Sequence, residues 1–189
     1  IPLFFANSLV TAIISSALRM SHLVNQLMAL AKADRLSTAQ LTDVAIAPLL
    51  EQVLSLLPTA QLEKVQWQLQ IPAQTTVRGD SSLLQVVCRN LLDNASKYAP
   101  ADSVVTVSVQ TTPQQLVLHF CNALPPDADM DTDRLTDRFY RSPQHQQIDG
   151  AGLGLSIVRQ IMQLHQGDLA VQINQTQTLC VLLQFPAPR

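Results

Sequence analysis

The residues best suited to chemistry in this chain begin with an amide-rich cluster, NLLDNASKY, at positions 90–98. At about 100° per residue on a helix, Asn90, Asn94 and Lys97 fall within one narrow stripe, and the apolar residues of the same segment point roughly 120° away. Amide oxygens are hard, neutral ligands that suit Mg²⁺ shared with phosphates, and a lysine ammonium can neutralise phosphate charge without fixed geometry. A solvated helix face is the alternative, but asparagine is a mediocre helix former, so two of them one turn apart favour a binding site.

The second cluster is the glycine-rich turn GAGLGL at positions 150–155, which holds three of the five glycines in the chain. Glycines let backbone N–H groups approach a phosphate closely, and a helix N-terminus adds unpaired donors and a favourable dipole. We therefore predict that Gly150, Gly152 and Gly154 form a phosphate cradle and that Leu153 and Leu155 also contact the nucleotide. The polar segment RSPQHQQID precedes this turn. A dinucleotide-binding unit would have a buried strand there, so the segment argues against a Rossmann-type site and indicates a mobile lid instead.

An asparagine-rich helix followed by a glycine turn that opens a second helix resembles the catalytic, ATP-binding domain of sensor histidine kinases of two-component systems. The resemblance implies ATP and Mg²⁺ as ligands, with Mg²⁺ on Asn94 and the nucleotide lined by Asn90, Lys97 and Tyr98. It also implies transfer of the γ-phosphoryl group to a histidine, a reaction that depends on positioning and on neutralising phosphate charge.

The segment DRFYRS at positions 137–142 resembles the phenylalanine-containing box at the base of the lid in that family. The resemblance implies that Phe139 and Tyr140 anchor the lid and that Arg138 or Arg141 reaches phosphate. An amphipathic helix end with two core aromatics is the alternative.

The loop that reads adenine departs from the family pattern. Asp-x-Gly-x-Gly is expected after the strand, and the chain has Cys121-Asn122-Ala123-Leu124-Pro125. Asn122 takes the place of the aspartate, and its amide can accept from the adenine amino group and donate to a ring nitrogen. Without the charge, we expect adenine recognition to be weaker by about 1 kcal/mol. Thr178 is the nearest candidate for the Gly-Thr pair that the family has in its final strand.

The elements that must position these residues follow from hydrophobic periodicity. Alternation and helical spacing predict strands near 43–46, 65–69, 76–78, 104–110, 116–121, 169–174 and 179–185, and helices over 48–57, 80–98 and 153–164. Helices and strands are interleaved without strict βαβ alternation. We therefore predict a two-layer α/β sandwich, a mixed sheet with helices on one face, over residues 37–189.

Residues 1–36 have the pattern of a long dimerisation helix. Their apolar seam steps by 4 and 3, with a second row beside it: Leu9, Ile13, Ser16, Met20, Leu23, Leu27 and Leu30, then Val10, Ala17, Val24 and Ala31. A lone helix cannot bury such a stripe, so we expect a homodimer formed through it. Within it, RMSHLVNQLMALAKAD at positions 19–34 resembles the end of the second helix of the kinase dimerisation hairpin.

The histidine that accepts the phosphoryl group has a recognisable motif in the family, and the chain lacks it. We expect that histidine on an upstream helix absent from this chain, so no catalytic residue is assigned here and His22 is interpreted as a surface residue. The resemblance implies relay of the phosphoryl group to the receiver domain of a response regulator.

Composition limits the partners and the location. The chain has 189 residues, 47% of them hydrophobic and 14% charged, with a net charge of −2. It can bury one core with a helical appendage, and it is not basic enough to bind nucleic acid. Its three cysteines, Cys88, Cys121 and Cys180, lie in apolar stretches and indicate buried reduced thiols in the cytosol. Membrane attachment is expected only through an upstream part of the parent protein.

Two other functional classes stay open. Clamp ATPases of the topoisomerase, chaperone and mismatch-repair group share the nucleotide fold but place a water-activating Glu one turn before the magnesium-binding Asn, where this chain has Asn90. A non-enzymatic dimerising module with degraded nucleotide binding would explain the missing glycines near Asn122.

Overall fold

The computed structural model describes residues 38–126, 128, 130–140 and 152–187. It also describes ten residues between 13 and 32, all of them helical: Ile13, Ser16, Ala17, Met20, Ser21, Val24, Met28, Ala29, Ala31 and Lys32.

Two sheets lie in the described part of residues 37–189. Strands β1 (Thr42–Ala45) and β3 (Thr76–Gly79) pair antiparallel. The larger sheet contains β2 (Gln66–Gln70), β4 (Val104–Thr111), β5 (Gln115–Ala123), β6 (Asp168–Ile173) and β7 (Thr178–Pro186), in the order β2-β4-β5-β7-β6. The pair β2 and β4 is parallel and the other pairs are antiparallel, so the sheet is mixed.

The described residues of this part also form the helices α1 (Ile46–Ser55), α2 (Thr59–Lys64), α3 (Ser81–Tyr98) and α4 (Gly154–Leu164). Helices α3 and α4 pack against the larger sheet, α2 contacts its edge strand β2, and α1 packs against α3. A 3₁₀ turn (Thr38–Gln40) precedes β1. The core lies between the helices and alternate residues of the strands, for example Phe120 of β5 and Leu183 of β7 against Leu92 of α3 and Ile161 of α4. The predicted α/β sandwich is confirmed.

Helix α3 has defined signals at both ends. The Asp80 side chain accepts a hydrogen bond from the Leu83 backbone N–H at 3.0 Å, which satisfies one of the free donors of the first turn. At the other end Pro100 follows Ala99, and a proline disfavours helical backbone in the residue before it. The helix therefore presents Asn90, Asn94 and Lys97 over its last three turns.

Helix α2 was missed by the periodicity analysis. It has six residues and none of them is buried, so it carries no apolar stripe for such an analysis to detect. Its Lys64 Nζ donates to the backbone carbonyls of Ser96 (2.8 Å) and Lys97 (3.0 Å), at the end of α3. The contacts of α2 with α3 therefore include polar ones.

The prediction of three reduced thiols was wrong for two of them. Cys121 and Cys180 are cross-strand partners in the pairing of β5 with β7, and they form a disulfide. Cys88 is free and buried as predicted, and burial raises the pKa of its thiol to about 12. The inference of a reducing compartment therefore loses the support of Cys121 and Cys180.

The described residues of the first segment point apolar side chains into solvent. Ile13, Met20, Val24 and Met28 are between 53% and 67% exposed. Ala29 is buried in the main core cluster. The rest of the predicted seam, Leu9, Val10, Leu23, Leu27 and Leu30, and His22 lie outside the described residues. The length of this helix and its use in dimerisation stay predictions.

Among the helices described here, none is both long enough and apolar enough to cross a membrane.

Candidate nucleotide-binding site

The N-terminus of α4 meets the amide-bearing side of α3 at Gly154. A Cβ atom placed on Gly154 would lie 3.2 Å from Oδ1 of Asn90 and 3.7 Å from Nδ2 of Asn94. The first distance is closer than an ordinary van der Waals contact, so a glycine is the residue that lets the two elements approach. The structure thus brings the two predicted clusters together.

Asn90 is a buried polar residue and not part of a solvated helix face. It is only 4% exposed, and its Nδ2 donates to the carbonyl of Val86 at 3.0 Å. This bond turns the amide so that Oδ1 lies on the Gly154 side. Asn94, one turn later, is half-buried. The pair therefore places amide groups beside the start of a helix, where backbone donors are available.

Lys97 is held by an acidic neighbour that the sequence analysis did not single out. Its Nζ lies 2.6 Å from Oδ2 of Asp93, four residues earlier on α3. Oδ1 of Asp93 accepts from Nε2 of Gln61 at 2.9 Å. The i,i+4 spacing of Asp93 and Lys97 was the available signal. Tyr98, the last residue of α3, is half-buried.

The DRFYRS segment at positions 137–142, here called the lid box, contacts the glycine turn through the backbone of its described residues. The Phe139 N–H donates to the Gly152 carbonyl at 2.9 Å. Gly152 has a φ of 68°, and a Cβ there would lie 2.9 Å from the Phe139 carbonyl carbon and from the Tyr140 carbonyl oxygen. Only glycine accepts both that backbone angle and that approach.

The side chains of the lid box do not all make the anchoring contacts that were expected. The Phe139 ring is 71% exposed, so its anchoring contact is the backbone bond and not the ring. The Tyr140 ring has the Arg134 guanidinium 4.5 Å from its centre. Arg138 is exposed and its Nη2 lies 3.4 Å from Oε1 of Gln160 on α4. Arg141 and Gly150 lie outside the described residues.

Leu153 and Leu155 flank the start of α4 and pack against the main core. The Leu153 carbonyl accepts from the Ile157 N–H at 3.0 Å and from the Ser156 hydroxyl at 2.9 Å. The side chains of Leu153 and Leu155 thus hold the glycine turn against the core of the domain. A contact with the nucleotide stays a prediction for both.

Asn122 and Thr178 form a second group at one end of the sheet. Asn122 is 4% exposed and its Nδ2 donates to the Ala123 carbonyl at 2.8 Å. Ala123 is the cross-strand partner of Thr178. The Thr178 N–H donates to Oδ1 of Asn174 at 3.0 Å, within the turn between β6 and β7.

The ends of α3 and α4 remote from the glycine turn meet at Asp80 and His165. The Asp80 N–H donates to Nε2 of His165 at 3.0 Å, and Nδ1 of His165 lies 2.7 Å from the Ile161 carbonyl. Nε2 must accept and Nδ1 must donate, which only a neutral imidazole with its proton on Nδ1 can do. Burial lowers the pKa of His165, although the Ile161 hydrogen bond and the Asp80 charge partly oppose that shift.

The Asp80 carboxylate is the acceptor for the first segment of the chain. Lys32 Nζ lies 2.8 and 2.7 Å from its two oxygens. Burial alone would raise the pKa of Asp80, but hydrogen bonds from Lys32, Ser82 and Leu83 outweigh burial and lower that pKa to about 2.

The donor set can be compared with what Mg²⁺ needs. The described residues contain no group of three or more His, Cys, Asp or Glu side chains that could hold a metal ion. A neutral amide such as that of Asn94 beside a glycine-lined approach fits an ion held mainly by phosphate oxygens. The residues therefore fit a nucleotide-bound Mg²⁺ better than a resident metal.

Comparison with known proteins shows the family of the chain. The family model described as Histidine kinase-, DNA gyrase B-, and HSP90-like ATPase matches residues 79–189. Sensor protein QseC of Escherichia coli (strain K12) is 39% identical over 152 residues, which are 78% of this chain and 32% of QseC. The chain thus spans about a third of the length of that curated relative.

Two solved structures have a similar fold. Full-length ShkA in complex with AMPPNP has a TM-score of 0.73 at 24% identity, over 97% of this chain and 39% of ShkA. The cytoplasmic segment of QseC has a TM-score of 0.57 at 24% identity, over 88% of this chain and 92% of that segment. Because the family model covers more than half of the chain, the chain belongs to the histidine kinase-, DNA gyrase B- and HSP90-like ATPase family, and within it to the catalytic domains of sensor histidine kinases.

Proposed function

We propose that this chain binds Mg-ATP and transfers the γ-phosphoryl group to a histidine on a helix outside the chain, for relay to the receiver domain of a response regulator. The observation that carries the proposal is the approach of Gly154 to Asn90 and Asn94. It brings the N-terminus of α4 together with Oδ1 of Asn90 and Nδ2 of Asn94, so backbone donors and amide groups meet at one place that suits a triphosphate. The AMPPNP complex of ShkA, which has the same fold, supports a nucleotide as the ligand.

In this proposal each element has one task. Asn94 holds Mg²⁺, and Asn90, Lys97 and Tyr98 line the nucleotide. The glycine turn receives the phosphates at the N-terminus of α4, and Asn122 reads adenine. Mg²⁺ held there would neutralise part of the phosphate charge. The protein residues fix the phosphates in place and position the γ-phosphoryl group, and no general base of this chain is assigned.

Calorimetric titration with Mg-ATP tests nucleotide binding. The native chain should release or absorb heat on binding, and Asn94→Ala should lose that signal. Gln85→Ala is the matched control, because it removes an amide from the opposite side of the same helix. No binding heat with the native chain would favour the non-enzymatic module, for which the observation is that the Asn122 amide is already bonded to the Ala123 carbonyl.

Phosphoryl transfer is tested by adding the upstream helix that would carry the histidine. Incubation with labelled ATP should then yield acid-labile phosphate on that helix. Release of free phosphate without labelling would favour hydrolysis instead. The hydrolytic alternative is weaker because the position of the water-activating Glu is Asn90, whose Nδ2 is bonded to Val86.

Dimerisation and location complete the proposal. The exposed stripe of Ile13, Met20, Val24 and Met28 fits burial against a second copy. Sedimentation should give a dimer for the native chain and a monomer for Met20→Glu.

We also propose a cytoplasmic position, since the solved part of QseC with this fold is its cytoplasmic segment.

A further inference from the structure

Helix α2 touches the site helix through polar side chains although it buries none of its own residues. Gln61 Nε2 donates to Oδ1 of Asp93 at 2.9 Å, and Lys64 donates to two backbone carbonyls in the last turn of α3. Leu62 is half-buried against the main core, and polar bonds add to this packing in holding the short helix against α3. Its contacts converge on the turn that ends with Lys97.

Asp93 is the centre of these contacts, because each of its oxygens has a different partner. Oδ2 receives the Lys97 ammonium at 2.6 Å and Oδ1 receives the Gln61 amide. With both oxygens engaged, the carboxylate cannot rotate without breaking one bond. Asp93 and Lys97 have side chains that are 20% and 28% exposed, so solvent screens the pair only in part.

The orientation of the Gln61 amide is fixed by charge. Its Oε1 is buried, and within the described residues it has no hydrogen-bond partner. Turning the amide over would bring that oxygen toward the Asp93 carboxylate, which repels it. The protein therefore leaves one buried acceptor unsatisfied while keeping a donor on Asp93.

We propose that Asp93, itself held by Gln61, is a positioning residue that sets the place of the Lys97 ammonium for the phosphates of ATP. A lysine ammonium is a point charge on a flexible stem, so its contribution to phosphate binding depends on what holds it. It has three donors, and the bond to Asp93 leaves two of them for phosphate oxygens. This inference rests on the proposed function, in which Lys97 lines the nucleotide.

The experiment compares dissociation constants for ATP and for adenosine, because adenosine lacks the groups that Lys97 would contact. Lys97→Met should weaken ATP binding by about tenfold or more and Asp93→Asn by roughly threefold to tenfold, and neither should change adenosine binding. Glu63→Gln is the control, since it removes one negative charge from the exposed side of α2. It should leave both constants unchanged.

The double variant separates positioning from independent effects. If Asp93 acts through Lys97, Asp93→Asn should cause no further loss in the Lys97→Met background. A further loss there would overturn the inference, as would an Asp93→Asn variant that weakens adenosine and ATP equally. Native ATP affinity in Asp93→Asn would also overturn it while leaving the proposed function intact.

The Lys97→Met variant tests the proposed function separately from the role of Asp93. Unchanged ATP binding by Lys97→Met would contradict the assignment of Lys97 in the proposed function. Should Asp93→Asn fail to fold, Gln61→Ala replaces it, because that change lies on another helix and leaves the charge pair in place. Gln61→Ala should weaken ATP binding by about twofold to threefold without affecting adenosine, and native ATP affinity in it would overturn the inference.

Discussion

The side-chain oxygen of Asn90 lies 3.2 Å from the point where Gly154 would carry a methyl group. This spacing sets how closely the N-terminus of α4 approaches the amide groups of α3. Any side chain at position 154 must push α4 or the Asn90 amide away, and both belong to the candidate site.

Gly154→Ala should therefore weaken ATP binding more than it weakens the fold. Alanine is the better helix former, which offsets part of the steric cost, so the free energy of unfolding should change by less than about 1 kcal/mol. The dissociation constant for Mg-ATP should rise about tenfold, on the order of 1.4 kcal/mol. Titration calorimetry and urea unfolding measure the two quantities.

The control for Gly154→Ala is the double variant with Asn90→Ala. Removing the Asn90 side chain removes the obstruction, so the added methyl group should then have a much smaller effect on affinity. Equal losses in both backgrounds would mean that Asn90 does not set the spacing.

Asn122→Asp should improve ATP affinity while lowering the stability of the free protein. A carboxylate accepts more strongly from the adenine amino group than an amide does, but here it would face the Ala123 carbonyl to which Asn122 now donates. We expect affinity to improve by about fivefold, roughly 1 kcal/mol. An unchanged or larger dissociation constant would show that Asn122 is not the adenine-reading residue.

His165 should make the fold less stable as the pH falls below the ordinary pKa of histidine. Its pKa is lowered in the folded state, so the unfolded chain binds a proton more readily than the folded chain does. Acidification therefore favours the unfolded state. The free energy of unfolding should fall between about pH 6.5 and the lowered pKa, with a slope of up to about 1.4 kcal/mol per pH unit.

The matched variant is His165→Gln, which can still accept from the Asp80 N–H and does not titrate. Its unfolding free energy, measured by urea titration from about pH 7.5 to about pH 5, should show a shallower dependence than the native chain. If the two curves of unfolding free energy against pH are parallel, His165 is not the source of the pH dependence.

Asp80→Asn should destabilise the protein near neutral pH, and the difference from the native chain should shrink in acid. The folded pKa of Asp80 is about 2 against an ordinary 3.8, so the charge contributes stability above pH 3.8 that is lost as the pH falls toward 2. Asparagine keeps an acceptor for the Leu83 N–H, so the variant isolates the charge. We expect a loss of about 1–2 kcal/mol at pH 7, measured by thermal unfolding across the acid range.

Lys32→Met serves as the control for Asp80→Asn, because it removes the main partner of the charge and keeps the helix cap. We expect Lys32→Met to lower the free energy of unfolding by no more than Asp80→Asn does. An Asp80→Asn variant whose deficit persists unchanged in acid would mean that packing, and not charge, is responsible.

Much of the fold could be predicted because its strands and long helices carry their own patterns. Alternate residues of β7 are buried, and α3 begins after an aspartate cap and ends before a proline. The approach of Gly154 to Asn90 was expected from the two motifs together. The individual strands and helices could be predicted from the pattern of one segment each, whereas the meeting of the two motifs was expected from their resemblance to the family.

The features that were missed depend on contacts between distant segments. Helix α2 has no apolar stripe, and its bond to Asp93 exists only in the folded protein. The bond between Cys121 and Cys180 depends on the register of β5 with β7, across a separation of 59 residues. The Phe139 ring is exposed and its φ is 64°, and the residue types of that segment predict neither feature.

The register of β5 against β7 also bears on how this domain can vary. Nine consecutive residues of each strand are paired, and the lid box, the glycine turn, α4 and β6 all belong to the excursion between them. Because closing a longer loop costs only slightly more entropy, residues added to or removed from the loop between Leu124 and Gly152 should leave the pairing of β5 with β7 intact. The same architecture can therefore tolerate lids of different length while the amide-bearing helix, which lies before β5 in the chain, stays unaltered.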